Sequence, residues 1–204
     1  MKIGILGGTK LALALGNKYL DSGIEVSFGV RKEFVIKEIG WKILNMFIEK
    51  VVSIEEAIDK SDIIFICCEN EYLMKFIAKL KSVNLEGKIL IDCTNSALYK
   101  VYDCNTALIR SEIKEVPIFK AFNNLGLDYP KNDLLGVVKE TYFCGENGIE
   151  KSKVKRLIEL IGYRAIDSGG LDNALLLEAF YHLRKEITTI KNEQSDYHFK
   201  LISC

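Results

Sequence analysis

Strand-length apolar runs alternate with helix-period segments along almost the whole chain, which predicts an α/β protein with a doubly wound, mainly parallel sheet. Two observations carry that prediction. Ile63–Cys68 and the centre of Lys88–Cys93 are continuously apolar, as strands buried on both faces must be. The first dozen residues pass from such a strand through two glycines directly into a helix, with Leu11, Leu15 and Tyr19 on one helical face.

That opening turn has the form of a dinucleotide-binding unit, in which one glycine makes the turn, a second admits the pyrophosphate and a third packs helix on sheet. With Gly7 as the first, the other two positions fall on Thr9 and Ala12. Alanine is an accepted substitute, and Gly16 one turn later extends a small face for close packing. Thr9 departs from the pattern; it is also an N-cap residue whose hydroxyl would meet a phosphate at the positive helix end. An ordinary βα turn of another α/β protein would read the same way.

Asp21-Ser22-Gly23 stops the helix and Glu25–Val30 is the second strand. An NAD enzyme ends this strand with an acid that holds the ribose 2′-hydroxyl. Here it ends in Arg31 and Lys32, which points to NADP, with Arg31 clamping the 2′-phosphate and Lys32 adding a point charge. The competing reading is an exposed, idle basic turn.

Trp41–Met46 is expected as the third, outermost strand of the first half, and Ser53–Glu56 as a capped start of a helix to Asp59. The strand Ile63–Cys68 is closed by Glu69-Asn70, a helix spans Glu71–Lys81, and the strand Lys88–Cys93 ends in Thr94-Asn95-Ser96. A helix over Asn105–Ile113 leads to the strand Ile118–Phe122 with its polar end Asn123-Asn124. Thr141–Gly145, Lys151–Ile161 and Tyr163–Asp167 follow as strand, helix and strand. Ser168–Gly170 is a turn, and one long helix from Leu171 to Ile190 precedes a polar tail.

Right-handed crossovers would place all these strand ends on one edge, so that Cys68-Glu69, Asn95 and Asn123 line one crevice. Taken singly, each is as well explained as a polar cap. The predicted organisation is one domain over 1–168 with a helical extension over 169–204.

Lys plus Arg and Asp plus Glu number 28 each, which argues against nucleic acid or an anionic membrane as partner and for a small molecule. No apolar run approaches a membrane span, so a cytoplasmic protein is expected. Six cysteines occur without a C-x-x-C pair and with only two histidines, which favours buried, reduced thiols over a metal site.

Several segments carry a family resemblance. Gly29-Val30-Arg31, Asp92–Asn95, Lys120–Gly126, Phe143–Asn147 and Ile166–Ala174 together resemble the coenzyme F420-dependent NADP oxidoreductase family, in order and spacing from Lys2 to about Phe180. The resemblance implies a Rossmann-like domain with a short C-terminal helical cap, NADP(H) as cofactor and a homodimer. It implies that Gly7, Gly8, Thr9, Lys10 and Leu11 form the pyrophosphate turn, and that Arg31 and Lys32 hold the 2′-phosphate. Cys68, Glu69 and Asn95 would line the cleft, with Ala121, Asn123, Gly170 and Leu171 at its nicotinamide side. The chain departs from the family in a glycine loop about two residues shorter than G-G-T-G-x-x-G, and in Val30 where many members carry Ser.

The reaction implied is direct hydride transfer between NADP(H) and a deazaflavin (coenzyme F420), a flavin or a similar small acceptor, which needs orientation more than a side-chain acid or base. No catalytic residue is expected, in keeping with the absence of a Ser-His-Asp, Cys-His or carboxylate pair of recognisable spacing. Two other classes stay open: a carbonyl or imine reductase, and a non-catalytic module that senses NADPH.

Overall fold

The computed structural model describes residues 1–32, 34, 50–97, 104–124, 139–191 and 199. The strands are β1 Lys2–Leu6, β2 Glu25–Val30, β3 Val51–Ser53, β4 Ile63–Ile66, β5 Ile89–Asp92, β6 Ile118–Ala121, β7 Glu140–Gly145 and β8 Arg164–Asp167. They form one sheet in the order β3-β2-β1-β4-β5-β6-β7-β8. The helices are α1 Lys10–Asp21, α2 Ile54–Asp59, α3 Leu73–Lys81, α4 Asn105–Glu112, α5 Ile149–Leu160 and α6 Ala174–Lys191. Short 3-10 turns at Asn70–Tyr72 and Leu171–Asn173 lead into α3 and α6.

The sheet is two-faced because strand side chains alternate. Ile3, Ile5, Phe65, Ile91 and Phe119 point to the face covered by α1 and α5. Leu6, Ile64, Ile66, Leu90 and Ile118 point to the face covered by α2, α3 and α4. A third, smaller cluster joins Cys104 and Cys144 to Ala174 and Leu177, and so packs α6 down. Each buried phenylalanine contributes on the order of 2–3 kcal/mol, which makes this double layer the main source of stability. Ser53 caps α2 as expected, its hydroxyl accepting from the Glu56 amide at 3.1 Å.

Among the described residues the sheet ends at Val51–Ser53, parallel to β2; the expected strand Trp41–Met46 lies outside them. The common direction expected of all the strands is corrected. β7 runs antiparallel to β6, and β8 is parallel to β7, so both point opposite to β1–β6. Their carboxyl ends therefore leave the sheet at its other edge. Gly169 is level with Gly145, which faces Phe119, two residues short of the end of β6. Gly170 and Leu171 follow β8 beside β7, the Leu171 carbonyl 4.0 Å from Cys144 Sγ, and lead into α6.

The thiols of Cys67, Cys68, Cys93, Cys104 and Cys144 are free and buried, as the composition implies. Among the described residues no helix is long and apolar enough to cross a membrane.

Candidate functional site

The carboxyl edge of β1 is where the strand order reverses, with β2 on one side and β4 on the other. Ligands of open α/β sheets bind at such a point. Gly7 turns the chain there with φ +122°, and a Cβ on it would lie 2.5 Å from the Cys67 carbonyl oxygen and 2.8 Å from Cys68 Cα. Only glycine satisfies both the dihedral and the contact. Thr9 is the N-cap of α1, accepting from the Ala12 amide at 3.1 Å and donating to the Cys67 carbonyl at 2.8 Å. The cap is as expected, and its hydroxyl hydrogen goes to Cys67. The donors left to an anion are the first amides of α1, which have no acceptor inside the helix.

Gly8 lacks room for a side chain for another reason: the Phe34 ring lies against it, 2.0 Å from where a Cβ would stand. Lys10 and Leu11 form the first turn of α1, Lys10 exposed and Leu11 packed on the core. Ala12 is fully buried, and Gly16 accommodates Phe28 of β2, whose ring would be 2.1 Å from an added Cβ. The small face of α1 is thus a packing device.

Arg31 follows β2 directly, and its guanidinium stacks on the Tyr72 ring at 3.5 Å from the centroid. Lys32 is exposed beside it. Further along the edge, Cys68 is buried, and burial raises its thiol above the ordinary range; Glu69 is exposed at the start of the 3-10 turn. Ala121 is fully buried in the core beneath α1 and α5.

Asn95 and Asn123 meet. Asn95 Nδ2 donates to the Asn123 carbonyl at 3.0 Å, and Asn123 Nδ2 donates to Asn95 Oδ1 at 2.8 Å. Asn123 Nδ2 also reaches the Leu177 carbonyl of α6 at 2.9 Å. The chain makes this turn through Phe122 at φ +63°, a left-handed conformation held by burial of the ring against Phe65 and Tyr163.

Directly behind this pair lies a group that reading the chain in order missed. Lys120 is completely buried, yet its ammonium donates to Asp92 Oδ2 at 2.7 Å, to Glu178 Oε1 at 2.6 Å and to the Thr94 carbonyl at 2.5 Å. Asp92 and Lys120 are register neighbours on β5 and β6, and Glu178 descends from α6. Burial alone would lower the Lys120 pKa; the two carboxylates outweigh it and hold the ammonium above its ordinary range. A signal existed: a lysine interrupts the apolar strand Ile118–Phe122, and an acid occupies the inner face of the last helix.

Residues 2–96 match the family described as NADP oxidoreductase, coenzyme F420-dependent. The metalloreductase STEAP3 of Rattus norvegicus is 24% identical over 183 residues, covering 87% of this chain, which spans only 36% of that protein's length. A proposed F420-dependent NADP-reductase from Arthrobacter sp. FB24 has the same fold over 100% of both chains, with a TM-score of 0.85 at 18% identity. A reductive aminase from Aspergillus terreus, solved with NADPH and ethyl levulinate, shares the fold at TM-score 0.64 and 14% identity, over 94% of this chain and 62% of that one.

Proposed function

We propose that the protein is a cytoplasmic, homodimeric oxidoreductase that binds NADP(H) along the carboxyl edge of β1–β6 and passes hydride to or from a deazaflavin, a flavin or a similar small acceptor. One observation carries the reading. Arg31 stands at the end of β2 with its planar cation already stacked on Tyr72, where an NAD site would carry an acid. The fit extends to the Gly7 turn, whose close approach to Cys67 and Cys68 leaves no room for a side chain, and to the anion-accepting helix end that follows. The family of residues 2–96 supports the same cofactor.

When bound, the cofactor supplies a transferable hydride at the nicotinamide C4; the protein's work is to bind and orient. The first amides of α1 would receive the pyrophosphate, and Arg31 with Lys32 the 2′-phosphate. The reciprocal Asn95–Asn123 pair would set the nicotinamide end of the cleft. Gly170 and Leu171 would border that end from the start of α6, whose Leu177 carbonyl accepts from both Asn123 and Asn124.

The test is the 340 nm absorbance of NADPH with purified protein and, in parallel, coenzyme F420, FMN or no acceptor. Oxidation with one acceptor alone supports the reductase and names its partner. NADPH binding without turnover on any acceptor tried would favour the sensing module instead. Sedimentation at two protein concentrations tests the homodimer.

A further inference from the structure

The buried cluster behind the Asn95–Asn123 pair has a definite charge, which follows from counting its hydrogens. Asp92 Oδ1 accepts from the Thr94 amide and hydroxyl, at 2.9 and 2.7 Å. Asp92 Oδ2 accepts from the Thr106 hydroxyl at 2.6 Å and from Lys120. Glu178 Oε1 accepts from the Asn105 amide at 3.0 Å and from Lys120, and Oε2 from the Ser96 amide at 2.7 Å. The Thr94 hydroxyl itself accepts from Asn105 Nδ2, so its hydrogen goes to Asp92. The amides and the ammonium bring their own hydrogens to the carboxylate oxygens, the Thr94 hydroxyl is turned toward Asp92 by Asn105, and the Thr106 hydroxyl meets the one oxygen that Lys120 already supplies with a hydrogen. Both acids are therefore ionised. Two carboxylates against one ammonium leave a net charge of minus one, on side chains no more than 1% exposed.

A buried charge of this kind is poorly screened and acts on whatever changes charge nearby. Its position is specific: Lys120 holds the Thr94 carbonyl, the residue before Asn95, and sits three residues before Asn123. We propose that the Asp92–Lys120–Glu178 cluster biases the site toward the oxidised cofactor by placing one buried negative charge at the nicotinamide end of the cleft. Hydride leaves the dihydronicotinamide C4 with both bonding electrons, which pass to the acceptor, and the ring left behind is a pyridinium cation. The charge of the cofactor changes at that ring alone. The cluster thus stabilises NADP+ relative to NADPH and adds driving force to hydride donation by bound NADPH. Lys120 donates all three of its hydrogens within the cluster and is no proton donor to substrate. Glu178 is a positioning residue on α6, not a catalytic one.

The inference rests on the cofactor reading above, and one set of titrations separates the two. Isothermal titration calorimetry would compare NADP+, NADPH and 2′,5′-ADP, which lacks the nicotinamide, on the wild-type protein and on Glu178→Gln. The variant keeps the side chain's shape, removes the charge and gives up one accepted hydrogen bond, which its binding to 2′,5′-ADP controls for. It should bind NADP+ about three- to tenfold more weakly, and bind NADPH and 2′,5′-ADP within about twofold of wild type. Asp92→Asn removes the same charge from β5 and should shift the ratio in the same direction, so the test survives if one variant fails to fold. Equal loss for all three ligands would make the cluster a structural pin and overturn the proposal, as would an unchanged ratio of NADP+ to NADPH affinity. A wild-type protein that binds none of the three overturns the cofactor reading itself, and this inference with it.

Discussion

Gly7 is held by two independent constraints, a φ of +122° and the Cys67 backbone 2.5 Å from any added Cβ. Gly7→Ala should therefore cost at least about 2 kcal/mol, seen as a lower urea midpoint at unchanged slope. A midpoint within error of wild type would mean that the turn relaxes freely. Arg31 makes a different kind of contribution. Its stack on Tyr72 already orders the guanidinium, so little side-chain entropy remains to be lost on binding a phosphate. Arg31→Ala should weaken NADPH binding by about 1–3 kcal/mol and leave NADH nearly unchanged. Equal weakening of both would refute the 2′-phosphate assignment. Thr9 shows the limit of reading residues singly: threonine was legible as an N-cap, but which acceptor takes its hydrogen depends on Cys67, 58 positions away.

At the level of elements, α6 is tied to the sheet mainly by polar groups. Its apolar anchors are Ala174 and Leu177, and its polar ones are the Leu177 carbonyl and Glu178. Lys120 links β6 to both β5 and α6, so Lys120→Met should leave two adjacent buried carboxylates without their cation and cost about 3–5 kcal/mol. Chemical denaturation near neutral pH checks this, and a loss under 1 kcal/mol would show that one carboxylate simply takes up a proton. The elements themselves were readable from period and caps: β4, β5, β6 and α1 to α5 fall where apolar spacing put them, to within a residue or two, and α6 begins three residues later than expected, after the 3-10 turn Leu171–Asn173. β3 was not, because three residues of half-buried strand carry too short a pattern to stand out.

At the scale of the whole molecule, among the described residues, the buried thiols of Cys68, Cys93 and Cys144, the Tyr19 hydroxyl and Lys120 all shift upward. Burial raises the Cys68 and Cys93 thiols, pushes Cys144 up to about 12, and raises the Tyr19 hydroxyl with help from the neighbouring Cys93 and Cys67. Lys120 is raised by its acids. Each folded pKa therefore lies above the unfolded one, so above the ordinary thiol value of 9.0 the unfolded chain holds fewer protons than the folded chain. Stability contributed by these groups is complete below that pH and falls as pH rises. The urea midpoint should drop as pH rises from about 9 toward about 12, and a flat profile would mean that these groups are solvated in the folded state. In the same picture Cys68 and Cys144 should stay silent to a thiol reagent until denaturant is added.

The amino-acid sequence by itself determined the strand–turn–helix at Gly7, the order of elements, the burial of the thiols and the cationic end of β2. These are local: they depend on period, on cap chemistry and on residues adjacent in the chain. Only the tertiary structure decided that β7 and β8 run opposite to the other strands. An apolar strand pattern is the same read in either direction, so hydrogen bonding to β6 had to choose. Only the fold, likewise, brought Asp92, Lys120 and Glu178 together across 28 and 58 positions. A buried charge is tolerated only where its partners converge, and convergence is a property of the sheet and its helices rather than of any segment.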